Sequence, residues 1–163
     1  LESGNEYDVS AVAFTPDGRR VVSGDGDKIV TVWDARTGES LDTLDGHEMA
    51  VSGVAVSPDG RRIGAGGQDR SVRVWDSGTG KPVFAVEAHT EAVTAVAFAP
   101  DGNRLLTAGD DGRVRVWDAG TGKPLRTIAG KGGVAALAVA HDGRRAAVAR
   151  GTTIELWDLK DGR

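Results

Sequence analysis

The apolar positions of this chain fall in short, valine-rich runs such as VSAVAF (Val9 to Phe14), IVTVWD (Ile29 to Asp34) and VTAVAF (Val93 to Phe98). Their length, β-branching and flanking turn residues specify strands, and no ten-residue stretch carries a clean 3.6-residue period. Between the runs stand TPDG (Thr15 to Gly18), SPDG (Ser57 to Gly60), APDG (Ala99 to Gly102) and AHDG (Ala140 to Gly143). Proline sets its own φ at the second turn position and glycine closes the turn, so these tetrapeptides join strands. In the fourth, His141 takes the proline's place; it is expected at the surface, without a chemical role.

The units repeat. Trp33-Asp34, Trp75-Asp76, Trp117-Asp118 and Trp157-Asp158 recur at intervals of 42, 42 and 40 residues, which specifies a repeat architecture. Each period supplies about four strands, which in the first lie near Val9 to Phe14, Arg20 to Ser23, Lys28 to Asp34 and Ser40 to Leu44. Residues 1–163 read as one array, with repeats at 5–46, 47–88, 89–130 and 131–163.

The segment GTGK occurs twice, before Pro82 and before Pro124. A phosphate-binding loop needs an early glycine, a Ser or Thr after the lysine, and a helix beyond. Trp75 and Trp117 hold the early glycine position and proline follows the lysine. These segments are hairpin turns, aligned with RTGE and KDGR in the other repeats.

With 163 residues, 39% hydrophobic and 27% charged, the composition is that of a globular domain with a substantial core. No apolar run approaches the roughly 20 residues that span a bilayer, so no membrane role is expected. Cysteine is absent, which removes thiolate chemistry and fits a reducing, cytoplasmic setting. A net charge of −4 disfavours nucleic acid as a partner. Paired carboxylates such as Asp25 with Asp27 and Asp110 with Asp111 lack the D-x-D-x-D-G series and distal Glu of a calcium loop.

Gly46-His47 followed by Trp75-Asp76, an Asp six residues before each of the first three tryptophans, and the period itself resemble the WD40 family of β-propellers over essentially the whole chain. The resemblance implies an all-β fold of four four-stranded antiparallel WD40-type blades, the last lacking its own outer strand. It also implies a non-enzymatic protein–protein interaction scaffold with no cofactor. His89, Thr107, Asp111 and Trp117 are then a hydrogen-bonded structural tetrad. His47, Asp69 and Trp75 form a partial one with Ala65 at the hydroxyl position, and Ser23, Asp27 and Trp33 another with Asn5 at the histidine position. In the fourth repeat Lys131, Ala147 and Gly151 replace the polar members and only Trp157 remains. That blade is expected to be the least rigid. Because the histidines fall in different blades, no catalytic or metal-binding residues are expected.

In such a ring the loops between blades share one face with the turns joining second and third strands. That face is expected to gather Glu6, Asp8, Asp25, Glu48, Glu91 and Asp110 with Tyr7 and Met49, a seat for a basic peptide in which charge steers and apolar groups anchor. The Tyr7, Asp8, Glu48, Met49, Glu91 and Asp110 side chains are the partner-binding candidates. The opposite face gathers Arg19, Arg20, Arg61, Arg62, Arg104, Arg144 and Arg145, partly balanced by Asp17, Asp59, Asp101 and Asp142. Four blades subtend only part of a circle. A homo-oligomer, two chains giving eight blades, or the remainder of a longer chain is expected to complete it. A propeller enzyme with a central-channel site and a purely architectural module are the alternatives.

Overall fold

The computed structural model describes residues 8–159. They form four antiparallel sheets, with no helix among the described residues. The first sheet runs β1 (Val9–Phe14), β2 (Arg20–Asp25), β3 (Val30–Asp34), β4 (Ser40–Leu44), each strand beside the next. The second runs β5 (Val51–Val56), β6 (Arg62–Gly67), β7 (Ser71–Asp76), β8 (Pro82–Glu87), and the third β9 (Val93–Phe98), β10 (Arg104–Gly109), β11 (Arg113–Asp118), β12 (Pro124–Ala129). The fourth has three strands among the described residues: β13 (Ala136–Val139), β14 (Arg145–Arg150) and β15 (Thr153–Asp158).

Each sheet is a meander because tight turns link its strands. Gly18 N–H donates to Thr15 O at 2.9 Å, and Gly143 N–H to Ala140 O at 2.8 Å, so AHDG closes as TPDG does. Both glycines have positive φ, 67° and 66°, where a side chain would be strained. Between β2 and β3 the turn differs from the sequence reading. β2 runs on to Asp25 and β3 starts only at Val30, because Asp25 to Lys28 form the turn. Asp25 Oδ1 accepts from Ile29 N–H at 3.1 Å, and Lys28 adopts a φ of 73°.

The core lies between blades. β1 lies beside β5, β5 beside β9 and β9 beside β13, so the first strands line a common axis. Val22, Val30 and Val32 of the first blade pack with Val51, Val54, Ile63 and Trp75 of the second. Val72 and Val74 pack with Val93, Phe98, Leu105 and Trp117 in the same way. Fully burying such a side chain contributes about 1.5–3 kcal/mol, so each blade is held largely by its neighbours.

Candidate functional site

The third blade carries the most complete polar cluster. His89, in the loop between β8 and β9, is buried, with Nδ1 2.9 Å from Asp111 Oδ1 and Nε2 2.8 Å from Thr107 Oγ1. Trp117 Nε1–H donates to the same threonine oxygen at 2.9 Å. One proton order satisfies all three contacts: indole N–H to Thr107, Thr107 O–H to Nε2, and Nδ1–H to Asp111. That order requires a neutral imidazole. Burial lowers the His89 pKa below the usual histidine value against the pull of Asp111, and Arg115 and Arg113 lower it further. Arg115 Nη1 donates to Asp111 Oδ2 at 2.8 Å and crowds His89 Nδ1 at 2.6 Å. Burial by itself would raise the Asp111 pKa. Hydrogen bonds from His89, Arg115 and the N–H groups of Arg113 and Thr90 outweigh it and hold the carboxyl well below the usual range. With both ring nitrogens engaged, His89 presents no free base.

In the second blade His47 Nδ1 lies 3.0 Å from Asp69 Oδ2. Asp69 also accepts from Glu48 N–H at 2.8 Å and from the Ser71 hydroxyl at 2.8 Å. Burial again lowers the histidine pKa. Ala65 offers no hydroxyl: its backbone contributes only a little to the His47 environment, and Nε2 closes no hydrogen bond of normal geometry. In the first blade Trp33 Nε1–H donates to Ser23 Oγ at 2.8 Å, and Asp27 is half-buried in the turn. Asn5 lies outside the described residues.

The fourth blade is wired differently. Trp157 pairs with Ala146 as Trp117 pairs with Leu105, so Val148, and not Ala147, takes the place of Thr107. The β14–β15 turn is shorter than its counterparts, which displaces a gapless alignment by one residue. Trp157 Nε1–H donates to Glu155 at 2.9 Å, and Glu155 also accepts from Arg150 Nε–H at 3.1 Å. Buried Arg150 reaches across to the carbonyls of Gly112 (2.9 Å) and Gly132 (2.7 Å), tying the third blade to the fourth. Lys131 is exposed.

Sequence reasoning missed a reciprocal exchange. The second strand ends in Asp25, Gly67, Gly109 and Arg150 in successive blades. A Cβ at Gly67 would come within 2.9 Å of His47 Nδ1, and one at Gly109 within 2.7 Å of His89 Nδ1. Where the sequence places no histidine, a buried Asp25 or Arg150 side chain stands at this position. The signal was available, because glycine accompanies histidine in the two middle repeats. Arg115, two residues before Trp117, was likewise overlooked.

The loops between blades bond to the turns joining second and third strands: Gly26 N–H to Asp8 O (3.2 Å), Gln68 to Ala50 (2.9 Å) and Asp110 to Ala92 (3.0 Å). Asp8, Glu48, Met49, Glu91 and Asp110 are exposed on this face. Asp25 is not: it is 1% exposed, since its carboxylate serves the turn beneath. Glu6 and Tyr7 lie outside the described residues. On the opposite face, arginines read as a solvated basic ring partly bridge blades. Arg20 Nη1 donates to Ser77 O (3.1 Å), Arg62 Nη1 to Gly102 O (3.3 Å) and Arg104 Nη2 to Gly143 O (3.1 Å).

Both GTGK segments are turns followed by strands β8 and β12. Asp76 Oδ1 accepts from Gly78 N–H (3.1 Å) and from Thr79 N–H (2.8 Å), and Asp118 does the same for Gly120 (3.1 Å) and Thr121 (2.9 Å). These amides serve the neighbouring aspartate, leaving them unavailable to a phosphate. Among the described residues, no three His, Asp or Glu side chains are grouped to hold a metal ion.

Comparison with known proteins agrees with this geometry. A family model described as "WD domain, G-beta repeat" matches residues 2–34, 38–76 and 80–118. The probable serine/threonine-protein kinase PkwA of Thermomonospora curvata is 50% identical over 36 residues, 22% of this chain and 5% of that protein. The solved structures of U3-55K and of the RRP9 WD40 repeats each superpose with a TM-score of 0.90 at 22% identity, over 98% of this chain and 51% of theirs. The chain thus spans about half the length of these structures and a small part of the kinase.

Proposed function

The chain belongs to the WD40 family, and on that premise we propose that it is an interaction scaffold whose acidic loop face receives a basic peptide segment of another protein. WD40 repeat proteins generally act as protein–protein interaction scaffolds. One observation carries the finer reading: Asp8, Glu48, Glu91 and Asp110 stand exposed, as does Met49 at 48%, on the face where the loops between blades meet the turns. Carboxylates at a rim raise the encounter rate with a cation, and an unbranched thioether adapts to whatever apolar side chain follows. The buried histidines beneath are consumed in holding those loops, so the face binds without reacting. Further blades, from a second chain or from the rest of a longer one, complete the ring around it.

Titration with a fluorescent peptide alternating Arg or Lys with Leu tests this. Binding that weakens with added salt and falls at least about tenfold in Glu48→Lys plus Glu91→Lys supports it. Equal binding by the charge-reversed protein, or none by the original, overturns it.

A further inference from the structure

Arg73 carries a guanidinium that no acceptor of the described residues meets, beside a cavity between the first and second blades. We infer that it is a carboxylate-binding subsite, which takes an acidic side chain of a docked peptide next to the basic residue that Glu48 receives. This rests on the reading of the loop face as a peptide seat and adds a specificity to it.

The third blade shows what an arginine at this position does when it is paired. Arg73 stands opposite Ala65 in the register of its sheet, as Arg115 stands opposite Thr107. Arg115 Nη1 donates to Asp111 Oδ2 at 2.8 Å. Arg73 makes no such bond to Asp69, and its Nε is shut off from solvent without a partner.

Two differences between the repeats account for the divergence. Ser71 stands where the third blade has Arg113, and its hydroxyl donates to Asp69 Oδ1 at 2.8 Å. With the N–H groups of Ser71 (3.0 Å) and Glu48 (2.8 Å) and the His47 ring (3.0 Å) also on it, that carboxylate is already served. Gly46 stands where the third blade has Ala88. A Cβ at Gly46 would lie 2.9 Å from Arg73 Nη1 and 3.2 Å from its Cζ, so the guanidinium occupies space that the alanine methyl denies to Arg115. Arg73 is thereby drawn off its aspartate and laid against the loop between the blades.

The adjoining cavity, about 310 Å³, is lined by Glu48, Asp69, Arg70, Ser71, Arg73 and Glu87. Arg70 is spent on Glu87, 3.4 Å away. Arg73 is left as the cation without a counter-charge, and a planar guanidinium matches the two oxygens of a carboxylate. Glu48, Asp69 and Glu87 line the same space, so a doubly charged phosphate meets more repulsion there than a singly charged carboxylate. Glu48 and Arg73 together suit a segment in which a basic and an acidic residue lie close.

The test steps a single Glu along the fluorescent Arg/Lys–Leu peptide and compares it with the Glu-free parent. At the matching position Glu should tighten binding about tenfold, and Arg73→Gln, checked for a β-type circular dichroism spectrum, should bind both peptides alike. Ser71→Ala should weaken the preference, because Asp69 then accepts from Arg73. A second measurement needs no variant and no basic peptide: the Arg73 Nε–H resonance should shift saturably with N-acetylglutamate and stay put with N-acetylglutamine. A resonance indifferent to N-acetylglutamate, a preference that survives Arg73→Gln, or tighter binding of phosphoserine than of Glu overturns the inference. A shifting resonance in a protein that binds no basic peptide defeats the peptide seat and leaves the carboxylate subsite standing, whereas basic peptide bound with an unmoved resonance does the reverse.

Discussion

Gly109 leaves the space that His89 fills: a Cβ there would stand 2.7 Å from the imidazole Nδ1 and 2.9 Å from Ala92 O. Gly109→Ala should therefore displace the histidine and destabilise the chain by about 1–3 kcal/mol, as overpacking does. Thermal denaturation of Gly109→Ala with and without His89→Ala measures the coupling. A smaller loss in the His89→Ala background is expected, and equal losses would show that the glycine does not serve the histidine.

Ala65 leaves His47 Nε2 without a hydrogen bond of normal geometry, whereas Ser23 and Thr107 supply a hydroxyl at the equivalent positions. Ala65→Ser adds one heavy atom, the hydroxyl that Ser23 carries at the equivalent position of the first blade. It should stabilise by about 0.5–1.5 kcal/mol, the net value of a hydrogen bond. Denaturant unfolding is the measurement, and a lowered midpoint would contradict the expectation.

His47 and His89 are held below the ordinary value of 6.5 in the fold, chiefly by burial. The unfolded chain then binds protons more readily, so their contribution is whole above 6.5 and is lost as the pH falls through the folded values. Asp69 and Asp111 are held below 3.8 by hydrogen bonds that outweigh burial, so their contribution disappears only in stronger acid. The melting temperature should fall in a first step below pH 6.5, and His89→Gln should shrink that step. A melting temperature that rises on acidification from about pH 7 to 5 would oppose this sign.

The fourth blade has Val148 in place of the hydroxyl, a four-residue β13, and a Trp157 less buried than its counterparts. Amides of β13 and β15 should exchange faster than those of β9 and β11. Arg150 restrains one end of β14, so protection should be greatest there within the blade. Uniform protection across the four blades would contradict the difference.

Strands and turns were legible because valine-rich runs, PDG turns and Trp-Asp pairs are local signals repeated in register. The His89 and His47 contacts to aspartate were expected only through the resemblance to the WD40 family, because no local signal in either segment pairs a histidine with an aspartate 22 residues away. Arg150 was not, because it stands where other blades carry glycine and its partners, Gly112 and Gly132, are backbone carbonyls without a side-chain signature. Asp25 was misplaced for a related reason: composition marks a carboxylate as exposed, and only the turn geometry reveals that it accepts a buried amide. The bridging arginines looked like a basic surface because their acceptors lie in the next repeat, some 40 residues away.

The separation of framework from binding face is tested most directly by measuring melting temperature and peptide affinity on the same two variants. Thr107→Val removes the acceptor of Trp117 and the donor to His89, and should cost about 1–3 kcal/mol of stability while leaving the dissociation constant of the folded protein unchanged. Glu91→Lys should weaken the peptide complex and leave the melting temperature nearly unmoved. The opposite pattern, in which Thr107→Val abolishes binding by a fully stable protein or Glu91→Lys unfolds it without touching affinity, would contradict the division of roles.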